Sequence, residues 1–355
     1  MGVFDHILKD NESLFKNELA LDYTFIPPIV QFREQQQQYI ASCIKPLFQK
    51  RSGKTLLITG SPGIGKTVAV KHLLKELSDE TEEIIPLYIN CWKKNTTHKI
   101  TLELCELLDI KFIQNLTSEQ IFKRVASVLS KKPVVIVLDE IDKLENEDIL
   151  YNLSEDIFKK TIILITNDAQ WLSKMDQRIK SRLMPELLSF NPYSMKETYE
   201  ILKQRVNYAF HDNVFSLSFL DEVAEKSFEK KDIRTGIYLL KESGAIAEEH
   251  SSRKILQEHV KKALSKLEDF QVRDSKELTD DIKELLELVK SNQNKTAKQI
   301  HELSKSDSSY RTFKRKLDDL EKSGLIKLEL KTEGQGRTTI VKLPQDSTLD
   351  NYTWP

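Results

Sequence analysis

Three short runs dominated by apolar residues punctuate the first half of the chain: Leu56-Leu57-Ile58, Pro133-Val134-Val135-Ile136-Val137-Leu138 and Thr161-Ile162-Ile163-Leu164-Ile165. Runs this short, rich in β-branched residues and lacking alternation, predict parallel strands covered on both faces. A further strand is expected near Ile84 to Ile89. Between the strands the apolar spacing turns helical, near Arg33 to Gln49, from Lys66 through Leu77, and again up to Ser130. This alternation, from about Phe32 to Pro185, predicts a three-layer α/β domain.

From Ser194 the pattern becomes helical only. Ser194-Met195-Lys196-Glu197 is a capping box opening a helix through Phe210, with Tyr199, Leu202, Val206 and Ala209 at helical spacing. A second helix is expected from Ser218, and Asp232 should cap a third that runs to about Glu249. The charged stretch Arg253 to Lys276, helical at first, leads to a third unit. There a helix from Thr279 to Val289 precedes a capping box at Thr296 and a helix to about Lys305. A helix from Ser308 to Lys322 follows, stopped by a glycine cap at Ser323-Gly324. Ile326 to Leu330 then alternates as a strand, Glu333 to Gly336 turns, and Thr338 to Leu343 returns as its hairpin partner. Three helices and a hairpin predict a winged helix-turn-helix.

Chemistry enters after the first strand. Gly60-Ser61-Pro62-Gly63-Ile64-Gly65-Lys66-Thr67 fits GxxxxGK[ST], the phosphate-binding loop. Its glycines let backbone N–H groups curl around phosphate oxygens, Lys66 supplies a point charge, and the Thr67 hydroxyl can ligate Mg²⁺. The helix opening at Lys66 and Val68 adds its positive end. The strand ending at Leu138 runs into Asp139-Glu140-Ile141-Asp142, where a carboxylate can hold Mg²⁺ through water; that role falls to Asp139. Glu140 is the candidate to orient or deprotonate the attacking water. Asn167, after the strand ending at Ile165, reads either as a ligand of γ-phosphate or water, or as an ordinary strand-end turn residue. ATP or ADP with Mg²⁺ are the cofactors this set implies.

Composition changes the picture little. The chain has 355 residues, 31% charged and 39% hydrophobic, enough for two or three packed units. Net charge is -1, so any nucleic-acid surface must be local. No apolar run approaches the roughly 18 residues of a membrane span, and Met1 to Asn11 lacks a secretory layout. A cytoplasmic, nucleoid-associated protein without a membrane partner is expected. Cys43, Cys91 and Cys105 form no CxxC pair and read as reduced thiols.

Local charge does accumulate in the third unit. From Ser308 to Lys342 nine Lys/Arg face five Asp/Glu. A winged helix lays its last helix in the major groove with its hairpin near the backbone. Tyr310, Arg311, Lys314 and Arg315 are therefore the candidate contacts to duplex DNA, with Arg337 at the hairpin tip. The same unit could instead dock a protein, with its basic face merely solvated.

Taken together, these residues resemble one family: the archaeal replication initiators of the origin recognition complex subunit one and cell division control protein six type, a branch of the AAA+ ATPases. The resemblance includes the lead-in Asn17 to Asp22 and Tyr23 to Pro28, then Arg33-Glu34, the Gly60 to Thr67 loop and Tyr88-Ile89-Asn90-Cys91. It continues through Leu138 to Asp142, Thr166-Asn167-Asp168, Ile201-Leu202 to Arg205, and Lys231-Asp232-Ile233-Arg234-Thr235-Gly236. It implies an AAA+ P-loop three-layer domain with a helical lid, followed by the winged helix-turn-helix. The expected division is an extension at 1–22, a nucleotide-binding base at 23–190, a lid at 191–274, a winged helix at 275–346 and a tail at 347–355.

By the same resemblance, Asn167 is a first sensor and Arg234 a second sensor reaching γ-phosphate from the lid. The arginine finger, acting on a neighbouring protomer's nucleotide, lies within Gln177 to Arg182. Arg182 fits the general AAA+ pattern and Arg178 the initiator pattern, and both also fit surface salt bridges. Tyr23, Pro28 and Arg33 would wall the adenine, although core packing explains the first two equally well. Lys93, Lys94 and Lys99 are candidate DNA contacts in an insertion within Trp92 to Asn115. The implied function is an ATP-dependent initiator that binds and distorts double-stranded origin DNA beside other protomers and recruits the replicative hexameric helicase, with slow hydrolysis as a switch. The alternatives are a transcriptional or defence regulator built on a P-loop ATPase with a winged helix, or a paralogue that does not load helicase.

Overall fold

The computed structural model describes residues 13–276, 280–292, 295–304, 310–322, 326–333 and 336–342. The chain divides into two compact units between Leu264 and Ser265.

In the first unit, five strands form one parallel sheet: β1 (Leu56–Thr59), β2 (Ile85–Asn90), β3 (Val134–Asp139), β4 (Lys160–Thr166) and β5 (Glu186–Ser189). Their order is β2-β3-β4-β1-β5. Leu56 pairs with Ile163 on one side and with Glu186 on the other, so β1 sits inside the sheet. The uninterrupted apolar character of β3 reflects two covered faces. Val134, Ile136 and Leu138 point into one core, which they share with Ile100, Leu104, Phe122 and Val125. Val135 and Val137 point into the other, with Ile40, Ile44, Val70 and Leu74. Those two cores are closed by α1 (Glu34–Ile44) and α2 (Lys66–Glu80) on one face and by α3 (Thr97–Leu107), α4 (Ser118–Leu129) and α5 (Asp148–Asp156) on the other. Two short helices, α6 (Trp171–Lys174) and α7 (Gln177–Leu183), lead into β5.

β5 is the one strand of the sheet not anticipated, and the helix expected to reach Gln49 ends at Ile44, giving way to a 3-10 turn with Pro46 in its first turn. A backbone turn with Pro near its start keeps the chain compact without an N–H at that position.

Four helices follow: α8 (Met195–Ala209), α9 (Leu220–Glu229), α10 (Ile233–Glu249) and α11 (Gln257–Lys276). The Ser194 capping box is formed in both directions, its side chain accepting from the Glu197 N–H and Glu197 Oε2 accepting from the Ser194 N–H at 2.7 Å. Asp232 caps α10 through the Arg234 N–H. The lead-in docks here. Asn17 N–H donates to Ala209 O at 3.0 Å, and Leu14 N–H to Glu248 at 2.7 Å. Phe15 packs on Phe210 and against Gly244, where a Cβ would lie 2.3 Å from the ring.

Among its described residues, the second unit holds α12 (Asp280–Ser291), α13 (Ala297–Leu303), α14 (Tyr310–Lys322) and an antiparallel hairpin of β6 (Lys327–Glu333) and β7 (Gly336–Lys342). Leu285, Val289, Ile300, Phe313, Leu317, Ile326 and Val341 form its core. The return strand begins at Gly336, two residues ahead of the expected Thr338. The proposed starts at Thr279 and Ser308, the end near Lys305, the cap at Ser323-Gly324 and the turn residues Gly334-Gln335 lie outside the described residues. So do Leu343 and the expected tail.

Candidate nucleotide-binding site

The phosphate loop joins β1 to α2 at the C-terminal edge of the sheet. Gly63 and Gly65 adopt φ of 72° and 87°, the left-handed region where a side chain is strained. Gly65 also serves as N-cap of α2, where no side chain caps, so the helix's first N–H groups remain available to an anion. Ile64 turns down into the core at 1% exposure and anchors the loop. Beneath it lies Arg33. Its guanidinium donates to Ile64 O and to Asn191 O at 2.7 Å and stacks over the Tyr193 ring at 3.9 Å.

A cavity of about 460 Å³ opens above the loop, lined by Pro62, Gly63, Gly65, Lys66, Thr67 and Val68, and by Tyr23, Asp139, Glu140, Asn167, Arg205 and Arg234 among others. The size suits a nucleotide. Lys66 Nζ donates to Gly60 O at 2.6 Å, Ser61 O at 2.7 Å and Asn167 Oδ1 at 2.8 Å. Burial pulls its ammonium down to about 8, partly opposed by the Asp139 carboxylate. Asn167, at the end of β4, is thereby brought to the loop.

Asp139 ends β3 at 2% exposure. Its Oδ2 accepts from Thr67 Oγ1 and from the Tyr88 hydroxyl, each at 2.7 Å. Hydroxyl and carboxylate at this separation form a hard oxygen pair suited to Mg²⁺, which takes one or two protein oxygens and completes its shell with water and phosphate. Glu140 has φ of 55° and donates its N–H to Asp139 Oδ1 at 2.9 Å. Burial, then the neighbouring Asp139 and Asp142, raises its carboxyl above the ordinary value. That is the direction expected of a group that takes a proton from water.

The lid reaches the same loop. Ile233 N–H donates to Gly63 O at 3.2 Å, and Arg234 projects into the cavity from the first turn of α10, its Nη2 paired with Asp232 Oδ2 at 3.1 Å. Arg205 enters from α8. It donates to Ala20 O at 2.9 Å and lies 4.9 Å from the Phe25 ring, joining lead-in, lid and cavity.

Three expected base contacts thus separate. Tyr23 lines the cavity at 58% exposure. Pro28 and Arg33 do not. Pro28 is exposed, with its carbonyl 2.9 Å from His72 Nε2, and Arg33 is spent under the loop. The finger candidates also separate: Arg182 pairs with Glu155 and lies 4.8 Å from the Tyr151 ring, whereas Arg178 is exposed and its guanidinium has no polar partner among the described residues. Of the insertion lysines, Lys93 lines the cavity, Lys94 pairs with Glu103 at 2.7 Å and Lys99 bonds Asn95. In the second unit Tyr310, Arg311, Lys314 and Arg315 are all exposed on α14, with Tyr310 edge-on to His301. Of Arg337, on β7, only the backbone is described.

Fold and site define a P-loop ATPase of the AAA+ class. A family model described as an AAA domain matches residues 49–171, and one described as a Cdc6 AAA+ ATPase-type lid domain matches residues 199–265. The chain belongs to the ORC1-type DNA replication proteins, the Orc1/Cdc6 initiator family. It is 32% identical over 281 residues to ORC1-type DNA replication protein 1 of Sulfurisphaera tokodaii, covering 75% of this chain and 71% of that one. With ORC1-type DNA replication protein 2 of Methanothermobacter thermautotrophicus it shares 27% identity over 365 residues, 97% and 95% of the two chains. The fold matches that of the Aeropyrum pernix ORC1 protein in complex with DNA, with a TM-score of 0.72 at 23% identity over 94% of each chain. No helix among the described residues is long and apolar enough to cross a membrane.

Proposed function

We propose that this protein is an ATP-controlled initiator that binds duplex origin DNA, distorts it beside other protomers and recruits the replicative hexameric helicase. The observation that carries the reading is the seating of the lid's Asp232–Arg234 turn on Gly63 of the phosphate loop, which ties lid position to nucleotide. The base at 23–190 and lid at 191–274 form the switch, and the unit from about 275 to 346 acts as a winged helix.

Within the site each residue has a defined task. The loop N–H groups from Gly63 to Val68 cradle phosphates, and Lys66 turns its charge from the loop carbonyls to the outer phosphates. Mg²⁺ held by Thr67 and Asp139 would neutralise charge on the phosphoryl oxygens. Glu140 orients and deprotonates the attacking water, Asn167 holds that water or the γ-phosphate, and Arg234 reports the γ-phosphate to the lid. Tyr23 packs on the base. Arg178 of a neighbouring protomer completes the site in trans. Hydrolysis is slow and resets the switch. Tyr310, Arg311, Lys314, Arg315 and Arg337 hold DNA.

Chromosome-wide occupancy, mapped with DNA copy number from the same growing cells, tests the reading. Peaks at copy-number maxima are expected. Peaks confined to scattered promoters would point to a regulatory ATPase, and no peaks at all to a protein-docking use of the C-terminal unit.

A further inference from the structure

Tyr88 ends in the nucleotide cavity without an assigned role. It pairs with Val137 across the β2–β3 ladder, and Val137 and Asp139 share a face because side chains alternate along a strand. Tyr88 and Asp139 therefore stand diagonally adjacent on one face, and the phenol reaches Asp139 Oδ2 at 2.7 Å. In that contact the phenol O–H donates and the carboxylate oxygen accepts. Lys71 Nζ lies 4.3 Å from the centre of its ring and fixes it from α2.

Among the described residues the Asp139 carboxylate accepts three hydrogen bonds: from Thr67 and Tyr88 on Oδ2 and from the Glu140 N–H on Oδ1. Two of those donors belong to the machinery itself. Thr67 is a candidate ligand, and Glu140 lies on the strained turn that carries the candidate base. Tyr88 alone holds the carboxylate from another strand, the edge strand β2, independent of loop and base. We propose that Tyr88 is a positioning residue for divalent-cation binding, which fixes the Asp139 carboxylate so that it accepts the ion's shell on arrival. Partners of this kind, one step removed from the ion, typically contribute ~10-fold or more to metal affinity.

This inference rests on reading Thr67 and Asp139 as the Mg²⁺ site. The full-length protein would be titrated with a fluorescent ATP analogue at increasing Mg²⁺ and again in EDTA, comparing wild type, Tyr88→Phe and Asp139→Asn. Tyr88→Phe keeps the ring and its Lys71 contact. The expected result is an Mg²⁺ midpoint raised ~10-fold with unchanged EDTA affinity and melting temperature. An unchanged midpoint overturns the proposal, as does a parallel loss with and without Mg²⁺, which would make Tyr88 a packing residue. If Asp139→Asn also leaves the Mg²⁺ response intact, the metal-site reading itself falls; if it abolishes the response while Tyr88→Phe does not, only the role of Tyr88 falls.

Discussion

Gly63 of the phosphate loop and Asp232 at the head of lid helix α10 are packed so closely that a Cβ on the glycine would lie 1.9 Å from Asp232 Oδ1. Asp232 cannot yield freely, because that oxygen also accepts the Arg234 N–H at 2.9 Å and caps the helix. Gly63→Ala should therefore push the lid off the loop. The left-handed φ of 72° adds roughly 1–2 kcal/mol of strain, and losing the cap adds about 1 kcal/mol. ATP affinity is expected to fall at least tenfold while the free protein still folds, checked by nucleotide titration and thermal melting. Unimpaired ATP binding would break the link between lid and loop.

Lys66 gives the site a pH dependence of definite sign. Its free ammonium titrates at about 8, but against phosphates it would keep its proton to higher pH. ATP binding then takes up a proton above pH 8, and affinity should fall as pH rises, approaching tenfold per unit. Folding of the free protein runs the other way. Unfolded lysine titrates near ~10.4, so the unfolded chain binds more protons between pH 8 and 10 and this group's contribution to stability rises across that window. Lys66→Arg should flatten the ATP profile, and Lys66→Ala should abolish binding. Isothermal titration from pH 7 to 9 measures both.

Glu140→Gln keeps the size and the backbone N–H to Asp139 while removing the base. ATP affinity should stay within about twofold and steady-state hydrolysis should drop ~10²- to 10⁴-fold. Equal turnover in mutant and wild type would remove Glu140 from its role.

Much of this was legible in the amino-acid order because one local rule sufficed for each feature. Continuous apolar β3, the loop glycines, and the caps at Ser194, Asp232 and Thr296 each depend on residues within a few positions. β5 escaped because Glu186-Leu187-Leu188-Ser189 is only four residues with polar ends, and it is a strand only because β1 offers it a parallel partner. Arg33 was misplaced for the same reason. Its partners Ile64 and Asn191 lie 31 and 158 positions away, and an arginine beside a glutamate carries no local sign of burial. Tyr88 and Arg205 belonged to recognisable family segments, yet their partners, Asp139 and Ala20, are fixed only by tertiary packing.

Arg315 is exposed on α14, in the middle of the basic run Lys314-Arg315-Lys316. If it contacts a phosphate, Arg315→Ala should weaken binding to all duplexes alike and lower the slope of log affinity against log salt by about 0.9. Loss at one DNA sequence only would instead place it on a base edge.

The two finger candidates make opposite predictions because the fold has already used one of them. Arg182 is committed within its own chain to Glu155 and the Tyr151 ring, joining α7 to α5. A charge held there would have to abandon both partners to reach a neighbour's nucleotide. Arg178, one turn earlier, is exposed and its guanidinium has no polar partner among the described residues, while its backbone is fixed by the Asp176 cap at 2.7 Å. A rigid helix start bearing an uncommitted guanidinium is what action in trans requires. Arg178→Ala should leave melting temperature and ATP affinity of the isolated protein unchanged and lower only the hydrolysis that depends on assembly, by ~10³-fold if it acts as a full finger. Arg182→Ala should lower the melting temperature and leave assembly-dependent hydrolysis per folded protomer intact. Mixing each variant with Lys66→Ala protomers separates the cases: a protomer lacking ATP can still lend Arg178 to its neighbour and so restore turnover to an Arg178→Ala partner. Failure of that complementation, with Arg182→Ala lost in the same assay, would transfer the role to Arg182.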